Sequence, residues 1–145
     1  MITKPVVTYK HVDDILLAAM PLRGTYEQSP ATFHLLQEQV WPYVIGKRIL
    51  LYYYVAAEVQ IECCLAVSRP VNTAEIRSYV LTGGEALTLI HFGPYRTLGE
   101  GWSLLFDYIE GHNIRIQGPR REVYLDDREF AAPVHLTELQ VLAAP

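Results

Sequence analysis

The sequence predicts an α+β fold made of two copies of one unit, each reading strand, strand, corner, helix, strand, strand. Three observations predict it. Gly24-Thr25-Tyr26 and Gly93-Pro94-Tyr95 are corner motifs 69 residues apart (93 − 24), close to half of the 145-residue chain. Each corner follows two short apolar runs and precedes an apolar stripe at helical spacing. Each stripe is followed by two more apolar and aromatic runs of strand length. Identity between the halves is low, so what repeats is pattern more than residues. Two such units would make a pseudo-twofold domain, a largely antiparallel sheet partly covered by two main helices, with a central groove as a natural ligand site. The repeats are expected at about 1–70 and 74–145 within a single domain spanning 1–145.

In chain order, Val6 to Val12 reads as a strand, Asp13-Asp14 as a turn and Ile15 to Leu22 as a second strand. Ser29-Pro30 is a helix start, with Ser as N-cap and Pro in the first turn. Phe33, Leu36, Val40 and Trp41 then share one buried stripe, and Gly46 breaks the pattern. Arg48 to Val55 is a strand with Tyr52 and Tyr54 on one face and Tyr53 on the other. Ala57-Glu58 reads as a turn without the usual Gly or Asn. Val59 to Val67 follows and carries Glu62. Arg69 to Thr73, with Pro70 and Asn72, reads as a linker. In the second half, Ile76 to Val80 and Glu85 to Phe92 are strands around a Gly83-Gly84 turn. Leu98, Trp102, Leu105 and Ile109 form the second helical stripe, ended by Gly111 and Asn113. Gly118 to Leu125 and Pro133 to Val141 are the last strands.

Composition narrows the class of function. The net charge of −4 comes without a basic block, which argues against direct nucleic-acid binding, because that rests on clustered Lys and Arg. No apolar run is long enough to span a bilayer and no secretory leader is visible, so a cytoplasmic protein without a membrane association is expected. Cys63 and Cys64 are adjacent; strand neighbours point to opposite faces, which disfavours a disulfide between them. The five histidines are scattered without metal-ligand spacing, and no phosphate loop, dinucleotide fingerprint or Ser-His-Asp signature is present. Neither metal nor cofactor is expected. The distinctive feature is ten tyrosines against four Phe and two Trp: apolar bodies with polar tips, suited to flat or cationic ligands.

The chemistry concentrates in the last third. Glu122 and Tyr124 stand two residues apart in a strand and share a face. A carboxylate beside a phenol, near the helix that carries Trp102, can accept a cation or activate a water. Burial in an apolar aromatic site disfavours the charged form of an acid, which also suits it to general-base work near neutral pH. The ligand-binding candidates are Glu122, Tyr124 and Trp102, with Tyr52 and Tyr54 as an opposite wall. If the chain is a hydrolase, Glu122 and Tyr124 are the catalytic pair. Tyr95 is read as fixing the strand-to-helix corner, His91 as packed, and Glu138 as a structural acid with Glu62 as its counterpart.

His91-Phe-Gly-Pro-Tyr95, Gly118-Pro-Arg-Arg-Glu122-Val-Tyr124 and Leu136-Thr-Glu138, in this order and spacing, resemble the GyrI-like small-molecule-binding domain, the effector-binding module of multidrug-sensing and AraC-type regulators. The resemblance implies two tandem strand-helix-strand-strand modules around a groove, with Glu122 at the position of a buried glutamate that pairs with cationic aromatic compounds. Some stand-alone relatives are similar to hydrolases that open cyclopropane rings in DNA-alkylating antibiotics, and another is a small inhibitor of DNA gyrase. With its first strand almost at Met1, the chain lacks the helix-turn-helix and coiled linker of the regulators, so a stand-alone role is expected. Binding of hydrophobic, often cationic small molecules ranks first, hydrolysis of cyclopropanoid or other electrophilic xenobiotics second, and gyrase inhibition through a protein partner third.

Overall fold

The computed structural model describes residues 5–145. The elements run β1 (Thr8–Val12), β2 (Ile15–Pro21), α1 (Ser29–Val40), β3 (Val44–Val55), β4 (Glu58–Val67), β5 (Arg77–Leu81), β6 (Gly84–Gly93), α2 (Leu98–Gly111), β7 (Ile116–Tyr124) and β8 (His135–Ala143). The fold is α+β, and the order β-β-α-β-β occurs twice. Among the described residues no helix is long and apolar enough to cross a membrane.

The chain packs as two compact units that cut across this linear repeat. One is Asp13–Thr82; the other combines the chain up to Val12 with Gly83–Pro145. Within the 13–82 unit the antiparallel order is β3-β4-β2-β5 under α1; within the other it is β1-β6-β8-β7 with α2. Each unit is thus a strand-helix-strand-strand module plus one edge strand drawn from the other copy of the linear pattern. β1 pairs with β6 (Thr8 with Thr88, Val12 with Gly84) and β5 with β2 (Ile15 with Leu81). The 69–73 segment read as a linker is instead an internal loop of the first unit. Thr73 Oγ1 accepts from the Glu75 and Ile76 N–H groups, and Asn72 Oδ1 from that of Ser78.

The two modules match in detail. Pro21 and Ile90 stand three residues before the corner glycines Gly24 and Gly93. Opposite them on β4 and β8 stand Glu62 and Glu138. Leu51 lies across from Glu62 and Val123 across from Glu138, so Leu50 occupies in the first unit the place of Glu122, and Tyr52 that of Tyr124. The helix stripes superpose with the spacing of the corners: Phe33 with Trp102, Leu36 with Leu105, Val40 with Ile109. Leu36, Val40 and Leu105 are fully buried and Ile109 nearly so, each worth about 1.5–3 kcal/mol of apolar burial.

Three local expectations change. Ser29 is the first residue of α1 and Gln28 its N-cap, because a 3-10 turn over Tyr26–Gln28 runs straight into the helix. The Thr25 N–H donates to Gln28 Oε1 at 2.6 Å and holds that turn. Trp41 lies beyond the helix, 68 % exposed and outside the stripe. The β3–β4 turn closes one residue earlier than expected, with Ala56 taking the left-handed backbone conformation (φ 55°) that Gly or Asn usually supplies.

Candidate functional site

Strand alternation sets the site. Residues paired across neighbouring strands share a face. Glu122 pairs with Leu139, Tyr124 with Thr137, and these with Leu89 and His91 on β6. That set faces α2. Helix and sheet approach closely at Gly101, where an added Cβ would stand 3.0 Å from Leu139 Cδ1 and 3.3 Å from His91 Nδ1. The close approach brings the next residue, Trp102, down onto the acid.

Glu122 is 1 % exposed. Its two oxygens are held separately. Trp102 Nε1–H donates to Oε2 at 2.9 Å and the Tyr124 hydroxyl to Oε1 at 2.7 Å. Two charge-assisted donors offset part of the cost of burying the carboxylate. Thr137, fully buried and one register step away on the same face, has a hydroxyl with no hydrogen-bond partner. The Trp102 indole is only half-buried, stacked on Phe106 at 5.8 Å, and Arg120 lies over the Phe106 ring at 4.1 Å.

Behind Tyr124 stands a second layer that the sequence reading did not assemble. Tyr95 packs edge-on against Tyr124 (5.3 Å) and face-on against His135 (3.8 Å, 8°). His135, buried, bonds through Nδ1 to Asp126 Oδ2 at 2.8 Å and through Nε2 to the Phe130 carbonyl at 3.2 Å. Asp126 also accepts from the backbone N–H groups of Leu136 and Arg128. Burial works to raise the Asp126 pKa, but the hydrogen bonds from His135 and these two N–H groups outweigh it, and the pKa is lowered. The loop from β7 to β8 is thereby pinned to the aromatic wall behind Glu122. Tyr95 fixes the corner as expected. His91 is packed, its Nε2 donating to Thr97 Oγ1 at 2.9 Å while the Thr97 hydroxyl donates to the Pro94 carbonyl.

The opposite face of the same strands carries a separate polar set. Arg121 (1 % exposed) pairs across β7–β8 with Gln140, Gln140 Nε2 donates to Glu138 Oε1, and Lys10 Nζ on β1 lies 2.8 Å from Glu138 Oε2. Alternation separates the two neighbouring arginines: Arg120 stacks on Phe106 and Arg121 is buried on the far side from Glu122. Glu138 is a structural acid, but Lys10 and Gln140 hold it.

Glu122, Tyr124 and Trp102 are thus brought together in one unit. Tyr52 and Tyr54 stand on β3 in the other, Tyr52 half-buried and Tyr54 exposed. A depression of about 310 Å³ in the 13–82 unit, lined by Met20, Arg23, Ala31, Leu35 and Glu75 among others, contains none of the expected site residues.

The carboxylate thus lies buried under a helix between an indole and a phenol, in a module built twice. The chain belongs to the family described as GyrI-like small molecule binding domain, whose model matches residues 6–142. Solved structures share its fold. The EcmrR C-terminal domain is 18 % identical with a TM-score of 0.81 over 98 % of this chain and 99 % of that one. Against EcmrR in its DNA complex the TM-score is 0.79 at 20 % identity, over 96 % of this chain and 57 % of that one, so this chain spans little more than half of that protein. SAV2435 bound to tetraphenylphosphonium is 11 % identical with a TM-score of 0.67, covering 96 % and 94 %. A hydrolase from Listeria innocua is 13 % identical with a TM-score of 0.65, covering 95 % and 91 %. No curated protein sequence matches the chain.

Proposed function

We propose that the protein binds hydrophobic aromatic cations, with the Glu122 carboxylate as counter-charge. The observation that carries this reading is the way the acid is held. Two aromatic side chains donate to Glu122, and one of them, Trp102, is half-buried and sits at the edge of the site. The indole N–H acts as an internal placeholder. A ligand cation gives the carboxylate a full opposite charge where the indole offers one N–H, and its apolar body replaces the contacts the indole leaves. Tyr124, backed by Tyr95 and His135, keeps the acid oriented meanwhile. A neighbour of the same fold was solved with tetraphenylphosphonium, a lipophilic cation of this class. No direct nucleic-acid contact and a cytoplasmic setting complete the reading; the buried, free cysteines fit a reducing compartment.

One observation favours a second reading, hydrolysis of strained or electrophilic compounds. The Thr137 hydroxyl, buried and without a partner, lies on the same face as Glu122. In this reading the Thr137 hydroxyl orients a water for deprotonation by the acid, and the Tyr124 hydroxyl, which donates to Glu122 Oε1 in the free protein, turns to the substrate.

The test is a Trp-fluorescence titration with tetraphenylphosphonium and with a cyclopropane-containing alkylator, each compound then followed by mass spectrometry. Saturable binding of the intact cation, weakened in Glu122→Gln, supports the binding reading. A water-added product formed by the wild type but not by Glu122→Gln moves the protein to the hydrolases. Neither effect removes Glu122 from the function.

A further inference from the structure

The 13–82 unit holds a second acid–aromatic constellation, on the sheet face away from α1. Ala19 on β2 pairs with Arg77 on β5 and Cys64 on β4; its small side chain leaves room for β5 side chains to reach over β2 toward Glu62. The Tyr79 hydroxyl donates to Glu62 Oε1 at 2.5 Å, and the Tyr53 and Tyr79 hydroxyls are 2.8 Å apart. Both phenols are pushed to higher pKa, chiefly by burial, so they stay protonated as donors. Glu62 is the register counterpart of Glu138, and Tyr79 occupies the β5 place that Lys10 occupies on β1. The cation that neutralises Glu62 is different in kind. Arg77 Nη2 lies 3.5 Å from Glu62 Oε2, with its guanidinium over the Tyr79 ring at 5.0 Å, and its side chain is 71 % exposed.

We infer that this cluster is a second cation-binding site, specific for flat amidinium or guanidinium groups on an aromatic body, and that Arg77 occupies it as a displaceable internal ligand. The geometry around Arg77 is that of guanidinium recognition: a carboxylate to one side and an aromatic face beneath. The pair is long at 3.5 Å and its Arg77 end is 71 % exposed against 15 % for Glu62, so it contributes little: solvent screens the guanidinium and ordering the long side chain costs entropy. A ligand amidinium on the same carboxylate adds a ring that stacks on Tyr79 and excludes that solvent. Tyr79, locked to Glu62 and Tyr53, presents its face ready-made. The site lies within one compact unit and does not use Glu122, so it stands or falls independently of the proposed function.

The probe is benzamidinium, titrated by calorimetry into the full chain, with Tyr79 and Arg77 resonances followed by NMR. Arg77→Gln removes the competing cation at an exposed position. It should tighten benzamidinium binding about tenfold, the combined scale of an exposed ion pair and a cation–π contact. Adding Glu62→Gln to Arg77→Gln should abolish that gain, and Glu122→Gln should leave it unchanged. An affinity unchanged or weakened in Arg77→Gln overturns the proposal. So does a gain that survives loss of Glu62, or one that disappears with Glu122. If Glu62→Gln lowers the yield of folded protein, the Tyr79 resonances decide alone: a benzamidinium-dependent shift of the ring supports the site, and an unmoved ring refutes it.

Discussion

The Tyr124 hydroxyl can be removed with almost no change of shape, which makes Tyr124→Phe the cleanest perturbation of the site. Tyr124 is 4 % exposed, and its hydroxyl donates at 2.7 Å to an acid that is 1 % exposed. The phenylalanine ring keeps the contact with Tyr95, so no cavity term enters. What is lost is one hydrogen bond to a charged acceptor, worth about 1.5–3 kcal/mol when buried. Glu122 would keep the Trp102 N–H as a donor. For a chain of this size a loss of about 2 kcal/mol lowers Tm by roughly 4–8 °C. In urea it moves the midpoint by about 1 M for a slope near 2 kcal/mol/M. A companion variant sharpens the test. Replacing Glu122 by Leu together with Trp102→Phe and Tyr124→Phe removes donors and acceptor at once, and the first unit already carries buried Leu50 at the matching place. Removing a buried acceptor together with the aromatic donors that hold it costs far less than stranding one of them, so the triple variant should lie within about 1 kcal/mol of wild type. Urea unfolding monitored by circular dichroism reads both. A Tyr124→Phe variant as stable as wild type, with the triple variant several kcal/mol below it, would refute the account of how the acid is held.

Other consequences are open to simple assays. The lowered pKa of Asp126 means that its contribution to stability is present above its ordinary value of 3.8 and is lost as the pH falls through the lowered folded value. Between pH 5 and pH 2, Asp126→Asn should therefore show a shallower loss of stability than wild type in urea titrations; parallel acid limbs would contradict this. Cys63, whose thiol burial pushes up to about 12 with help from Glu62, and the fully buried Cys64 should be unreactive to an aromatic disulfide reagent at about pH 8 until the chain is unfolded. Leu105→Ala, at a fully buried position on the sheet-facing stripe of α2, should cost about 2–5 kcal/mol and weaken ligand binding along with stability.

The sequence made the repeat legible because the corner glycines, helix stripes and aromatic strands recur at one spacing, and the structure keeps that spacing at Phe33 and Trp102, Leu36 and Leu105, Val40 and Ile109. Glu122 and Tyr124 were readable from strand alternation, and Trp102 from its helix. The exchange of β1 and β5 between the units was not readable. Each is a five-residue edge strand beside a tight turn, and nothing in Thr8–Val12 or Arg77–Leu81 marks which sheet it joins. The Asp126–His135–Tyr95 layer escaped for a related reason. It joins a loop, a strand start and a corner that meet only after β7 and β8 pair, so no fixed spacing announces it.

The central claim is that Glu122 is the counter-charge for a lipophilic cation. Calorimetric titration of tetraphenylphosphonium into wild type, Glu122→Gln and Glu138→Gln tests it most directly. The account predicts affinity at least about tenfold weaker in Glu122→Gln, the scale of one buried charge-assisted contact, and within about twofold of wild type in Glu138→Gln, whose acid lies on the opposite face with Lys10. Equal affinity in wild type and Glu122→Gln, or a loss confined to Glu138→Gln, would contradict it.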